Sequence, residues 1–269
     1  MLSKNEIKEI KALGQKKFRD ERRLFVVEGE KLVDEALRSG FDVVASYRVE
    51  DIGEETMARI SQLTHPSPAL AVVRQPEPVP LQIVPDELVL ALDGIRDPGN
   101  LGTILRIADW FGIRHILASE DTVEVYNPKV VQATMGAIFR VRVHYCDLTD
   151  MLRCPVGAGN DKGVGQGLTK GDKPGECSTA TRVLNAPQEG PAIEVYGTFL
   201  EGDSIYESAL TPGGIIVMGS EANGISPEVA ATVTRKLFIP PFPKDAHTSE
   251  SLNVAVATAI TCAEFRRRI

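Results

Sequence analysis

The chain has 269 residues, 43% hydrophobic and 25% charged, with a formal net charge of −7. This composition is that of a globular protein and excludes a disordered or fibrous chain, while the acidic balance excludes a uniformly basic nucleic-acid binder and leaves any phosphate contact to local patches. No apolar run nears the ~18 residues of a membrane span, the opening MLSKNEIKEIKALG lacks the apolar core of a signal peptide, and four Cys and four His lie scattered, so a cytoplasmic protein with reduced thiols, no membrane contact and no metal centre is expected.

Ser3 and Glu6 have capping-box spacing, which predicts a helix from Lys4 with Ile7 and Ile10 on one face. QKKFRDERR at 15–23 is a basic patch. Its Lys16, Lys17, Arg19, Arg22 and Arg23 are candidate phosphate contacts, and from charge alone a merely solvated stretch reads equally well. LFVVEG (24–29), VVASYRV (43–49) and ALAVVRQ (69–75) read as strands, with helices over KLVDEALRSG and EETMARISQL between them. The alternation predicts a small amino-terminal α/β domain over residues 1–75. Pro76, Pro78 and Pro80 mark a semi-rigid linker at 76–87.

The second domain, 88–269, opens with the strand LVLAL, a turn rich in Pro and Gly, and an amphipathic helix from near Leu101 to Gly112. A strand follows at 113–118. Asn127 and Pro128 start a helix over PKVVQATMGAI, and FRVRVHY alternates like a strand, with Phe139, Val141, Val143 and Tyr145 on one face. Residues 154–192 hold eight glycines and few large apolar side chains, which predicts a flexible insertion. IEVYGTF and GGIIVMG are strands, the second apolar enough for the middle of a parallel sheet. Ser226–Pro227–Glu228 begins a helix and LFIP is the last strand. A final helix from about Ser251 to Arg268 is apolar nearly all round, and Arg266, Arg267 and Arg268 suit its carboxyl end.

Strand, glycine turn and helix at 88–112 present polar groups at the carboxyl end of a sheet. The turn matches neither G-x-G-x-x-G nor a Walker loop, which speaks against a nicotinamide dehydrogenase. Asn100 and Arg106 are its polar residues, placed so that amide and guanidinium converge above the strand end. Two later stretches, GGIIVMGSEANGIS (213–226) and LFIPPFPKDAHTSESLNVAVATAI (237–260), complete a set of three. In order, with the Asn100 and Arg106 pair, the G-x-E-x-x-G of Gly219 to Gly224 and the Ser-Leu-Asn-Val of Ser251 to Val254, they resemble the motifs of the SpoU/TrmH-type RNA ribose methyltransferases of the SPOUT class. The amino-terminal run from QKKFR to VVEGEKLVDEAL resembles the opening of that family's RNA substrate-binding domain.

The resemblance implies a carboxyl-terminal SPOUT domain, a parallel sheet flanked by helices and closed by a trefoil knot, assembled as a homodimer with its site at the dimer interface. It implies S-adenosylmethionine as cofactor, held by Met218, Gly219, Ser220, Glu221, Gly224, Ile239, Pro240, Ser251, Leu252 and Asn253. It implies methylation of a ribose 2′-hydroxyl in rRNA or tRNA. Among the catalytic residues, Asn100 would fix acceptor or arginine, Arg106 would bind phosphate and stabilise alkoxide charge, and Glu221 would order the cofactor loop. Ser251 and Asn253 would hold loop and site at the start of the final helix, although a plain N-cap role suits Ser251 as well. The chain departs from the family where Pro241 stands in place of a Met and PFPKDAHTSE lengthens the path to Ser251. The alternative is a non-catalytic RNA-binding protein that keeps the fold.

Overall fold

A computed structural model describes residues 2–79, 81, 83–84, 86–153, 193–243 and 251–268. The whole of the insertion expected at 154–192 therefore lies outside the described residues. The elements before the linker are α1 (Lys4–Ala12), α2 (Lys16–Arg22), β1 (Leu24–Glu28), α3 (Glu30–Arg38), β2 (Val43–Arg48), α4 (Val49–Ile52), α5 (Glu54–Ile60) and β3 (Ala69–Arg74). The capping box at Ser3 and Glu6 is fully formed. The three strands make an antiparallel sheet ordered β1-β3-β2.

The sheet is covered on both faces, because its strands alternate two apolar sets. Val26, Leu70 and Val72 pack with Ile7, Ile10, Leu13, Met57 and Ile60 of α1 and α5. Phe25, Val27, Ala69, Ala71 and Val73 join instead the large core that runs on into the carboxyl-terminal half. Phe25 meets Tyr126 at 4.7 Å between ring centroids, and Phe41 meets Phe139 edge-on at 5.2 Å. An apolar junction thus joins the two halves.

One expectation fails at that junction. Arg19 is only 2% exposed. Its guanidinium pairs with Glu124 through two hydrogen bonds and donates to the Leu13 carbonyl at 2.9 Å, so it is not available to a phosphate. Its basic neighbours misled the reading, since the partner carboxylate lies 105 residues away. The other patch residues are partly committed too. Lys16 pairs with Asp20 at 2.6 Å, Arg22 lies 4.0 Å from Glu9, and Arg23 donates to the Pro76 carbonyl at 3.0 Å.

The second half contains β4 (Leu88–Asp93), α6 (Pro98–Trp110), β5 (His115–Ala118), α7 (Pro128–Thr134), a 3-10 turn at Ala137–Phe139, β6 (Arg142–Tyr145), α8 (Leu148–Arg153), β7 (Val195–Phe199), β8 (Asp203–Ser204), β9 (Gly214–Gly219), α9 (Pro227–Ala230), β10 (Arg235–Phe238) and α10 (Val254–Arg267). The strands form a seven-stranded parallel sheet ordered β6-β5-β4-β9-β7-β10-β8. All six residues of β4 are buried, as its unbroken apolar run requires of a central parallel strand. Among the described residues, no helix is long and apolar enough to cross a membrane.

Local differences have physical causes. α6 starts at Pro98 rather than near Leu101, because Asp97 caps it by accepting from the Asn100 amide at 2.8 Å. The expected strand from Phe139 is shorter, because Gly136 in a left-handed conformation leads into the 3-10 turn and pairing begins only at Arg142. α10 starts at Val254, not Ser251. It is also amphipathic rather than buried all round, with Val256 and Ala263 exposed while Thr258, Thr261 and Cys262 face the core.

Candidate active site

The order of the sheet places the site. From β4 the chain moves outward through β5 and β6, and it later returns to add β9 on the other side of β4. The crevice at such a switch point, outside the carboxyl ends of the strands, is where open α/β sheets bind ligands. Asp93 closes β4 in register with Gly219, which closes β9. A cleft of about 320 Å³ opens above that pair, lined by Asp93, Asn100, Asp121, Ser220, Glu221 and Val254 among others.

Three segments far apart in sequence meet at its rim through one amide. Asn253 Nδ2 donates to Asn100 Oδ1 at 3.0 Å and to Glu221 Oε1 at 2.5 Å. Its Oδ1 accepts from the amides of Ala255 at 3.0 Å and Val256 at 3.3 Å, which caps α10. One side chain therefore fixes the helix start and ties the first turn of α6 to the loop after β9. Ser251 and Leu252 are exposed just before it. The cap belongs to Asn253, so the N-cap reading of Ser251 is set aside.

The loop after β9 is tightly closed. Ser220 and Gly224 exchange two backbone hydrogen bonds of 3.0 and 2.8 Å. Gly224 has φ of +66°, and a Cβ on Gly219 would stand 2.1 Å from the Gly224 carbonyl carbon, so only glycine fits at 219. The buried Asp93 carboxylate accepts from the Ser226 amide at 2.7 Å and so anchors this loop to β4. On the opposite wall, Ser119 donates to Asp121 at 2.7 Å and Arg96 to the same carboxylate at 2.9 Å. These two bonds, the Ser119 one first, hold the Asp121 carboxyl below the usual carboxylate range.

Of the expected catalytic residues, Asn100, Glu221 and Asn253 are brought together. Arg106 is not. It lies six residues beyond Asn100 on one helix, a separation of about 9 Å along the axis and about 120° around it. Its side chain is exposed and makes no hydrogen bond or ion pair among the described residues. The expected convergence with Asn100 within one chain therefore does not occur. Of the expected cofactor residues, Ser220, Glu221 and Gly224 line the cleft. Met218 is buried, and Ile239 and Pro240 follow β10 and are not part of the lining. Asp93, Arg96, Asp121 and Ser226 were not expected. Asp93 carried a signal, a carboxylate closing an apolar strand, whereas Asp121 carried none.

A sequence profile of the SpoU rRNA Methylase family matches residues 87–157 and 175–263, and one of the MRM3-like substrate binding domain matches residues 4–64. The 23S rRNA (guanosine(2553)-2′-O)-methyltransferase of Bacillus subtilis is 26% identical over 98% of this chain and 97% of its own. A TrmH-family structure from Porphyromonas gingivalis is 39% identical over the whole of both chains, with a TM-score of 0.79. An AdoMet-bound rRNA methyltransferase from Sinorhizobium meliloti is 27% identical over 100% of this chain and 97% of its own, with a TM-score of 0.77. With the three motifs converging on one cleft and the profile spanning more than half of its length, the chain belongs to the SpoU rRNA methylase family.

Proposed function

We propose that this protein methylates a ribose 2′-hydroxyl of RNA with S-adenosylmethionine as methyl donor, and that the RNA is ribosomal. The observation that carries the reading is the Asn253 amide, which joins Asn100 and Glu221 across 153 and 32 residues at the mouth of the cleft. The names of the relatives favour ribosomal over transfer RNA.

The loop after β9 suits the cofactor, because Gly219 lets it close tightly and Gly224 leaves its backbone bare beside the cleft. Ser220, Glu221 and Gly224 would hold it there, with Ser251 and Leu252 closing over from the α10 side. When bound, S-adenosylmethionine supplies an already activated methyl group, and no metal is needed. The chain's own work is to align the ribose and to favour loss of its proton. Asn100, held by Asn253, orients the acceptor. Arg106 binds the adjacent phosphate and stabilises alkoxide charge.

For Arg106 to do so it must serve the cleft of a second copy. It sits on an exposed face of α6 with Ile107 and Trp110, the tryptophan 85% exposed, and α10 packs alongside with Val256 and Ala263 exposed. Such a continuous apolar face on two neighbouring helices suits a homodimer. Residues 1–75 would form the RNA-binding domain, 76–87 the linker and 88–269 the transferase domain, acting in the cytoplasm. A trefoil knot would require the chain between β10 and α10 to thread past the 220–226 loop before α10 packs on α6.

The test is incubation with methyl-labelled S-adenosylmethionine and total ribosomal RNA, followed by digestion to nucleosides. Label in a 2′-O-methylnucleoside is expected. Label only in a base, or RNA binding without any label, would overturn the reading.

A further inference from the structure

The expected phosphate patch is weakened by the burial of Arg19, yet the amino-terminal half carries another cationic surface. A groove of about 580 Å³ runs between α1, α5 and the start of α2, lined by Lys4, Ile7, Lys8, Lys11, Phe18 and Arg59 together with small and polar neighbours. Lys4, Lys8 and Lys11 follow i, i+4, i+7 spacing and so lie within about 60° on one face of α1. Arg59 reaches the groove from α5. No carboxylate lines it.

Three acidic residues nearby are engaged elsewhere, while Glu55 stands one turn before Arg59 on α5, outside the lining. Glu6 is held in the cap of α1, accepting from the Ser3 amide at 2.7 Å, and Glu9 stands beside Arg22 at 4.0 Å. Asp20 is bound by Lys16. Lys4, Lys8 and Arg59 are exposed and make no ion pair among the described residues, while Lys11 donates to the Ser61 carbonyl. In a chain of net charge −7, four cations around one groove with no anion among them form a strong local field. Phe18 adds a half-exposed aromatic ring to the wall, with the Arg22 guanidinium 5.9 Å from its centroid.

We propose that this groove binds a single-stranded segment of the substrate RNA, its phosphates along Lys4, Lys8, Lys11 and Arg59 and one unpaired base stacked on Phe18. The assignment rests on the reading of RNA as substrate. Cations that follow a backbone beside an aromatic platform are the recurring means of holding single strands. A duplex keeps its bases stacked inside and has none to offer Phe18. The groove lies on the face of the three-stranded sheet covered by α1 and α5, opposite the face that packs against the methyltransferase half. It therefore grips RNA remote from the target ribose. It sets affinity, not chemistry.

The test uses the full-length protein and a fluorescein-labelled oligouridylate of about 16 nucleotides, the upper range for one such binding module. Affinity is measured by anisotropy over a series of salt concentrations. The variant Lys4→Gln/Lys8→Gln/Arg59→Gln is expected to flatten the slope of log affinity against log salt by about 0.7 for each contact removed, about 2 in all. Phe18→Leu is expected to weaken binding about 5-fold or more with little change of slope. Calorimetric titration with S-adenosylmethionine, unchanged in both variants, shows that the fold is kept. With ribosomal RNA, KM should rise while kcat holds. An unaltered slope and affinity in the triple variant would overturn the groove, as would a fall in kcat at constant affinity. A fully paired hairpin that competes as well as the oligouridylate would overturn the single-strand assignment. If the triple variant binds like the wild type while the wild type methylates RNA, the groove fails and the enzyme reading stands. If binding falls as expected but the wild type methylates no RNA, the groove stands and the enzyme reading fails.

Discussion

Replacing Asn253 by Asp separates the two duties of that side chain. A carboxylate oxygen still accepts from Ala255 and Val256, so the cap of α10 survives and the charge suits the helix amino terminus. What vanishes is the donor. The bond to Glu221, worth about 1.5–3 kcal/mol because its acceptor is charged, and the bond to Asn100, worth about 0.5–1.5 kcal/mol, are both lost. A new carboxylate then stands where the 2.5 Å contact with Glu221 was. In this exposed setting the repulsion adds about 1 kcal/mol, near the high-dielectric limit. The sum, about 3–5.5 kcal/mol, disturbs the arrangement of the loop after β9, and the hydrogen-bond part of it is also lost from global stability. Since about 1.4 kcal/mol corresponds to tenfold in rate, turnover should drop by about 10²-fold or more, with a fall in melting temperature of about 2–4 °C for each kcal/mol lost from global stability. Adding Glu221→Gln puts an amide opposite the new carboxylate and should restore activity in part. Asn253→Asp turning over within about threefold of the wild type at pH 8 would refute the organising role of the junction.

Arg19→Met leaves Glu124 without its buried partner and should destabilise the protein by about 3 kcal/mol or more, read in urea unfolding, with S-adenosylmethionine binding little changed in the folded protein. Gly219→Ala sets a methyl 2.1 Å from the Gly224 backbone, so the loop must open, and S-adenosylmethionine affinity measured by calorimetry should be abolished even where the fold survives. Hydrogen bonds from Arg267 and Arg268 hold the Glu264 carboxyl down at about 2. Its stabilising share is therefore present above the ordinary value of 4.5 and lost as pH falls from there towards 2, a loss that Glu264→Gln should remove from the acid-unfolding curve. Arg106→Ala should keep S-adenosylmethionine affinity within a few-fold while lowering single-turnover methylation by about 10²-fold, and mixed dimers of Arg106→Ala with Asn253→Asp chains should regain activity, because one interface then supplies both groups.

The local grammar of this fold was largely legible. The Ser3 cap, the stop at Gly112 and the Asn127 start are decided by neighbours within a turn, and all three stand as expected. So were Asn100, Glu221 and Asn253, whose motifs meet at one cleft. What the sequence withheld are choices made between distant segments. Ser251 and Asn253 are both good caps, and the choice of Asn253 follows a junction with Asn100 and Glu221 that no local pattern encodes. Arg19 looked like one more surface cation because Glu124 is far along the chain. GGIIVMG read correctly as a central strand, but its insertion between β4 and β7 depends on how the apolar strands sort themselves, and they look alike one by one. Arg106 was placed on the right helix and credited with the wrong neighbour, since a helix turns about 100° per residue and carries it away from Asn100.

The central claim is ribose methylation of RNA, and mapping resistance to alkaline cleavage tests it most directly. A 2′-O-methyl group removes the nucleophile for strand scission, so each modified position appears as a gap in the ladder. Ribosomal RNA from cells lacking this protein should lose one such gap, which wild-type protein restores and the Arg106→Ala variant does not. Identical ladders with and without the protein, in ribosomal and transfer RNA alike, would contradict the account.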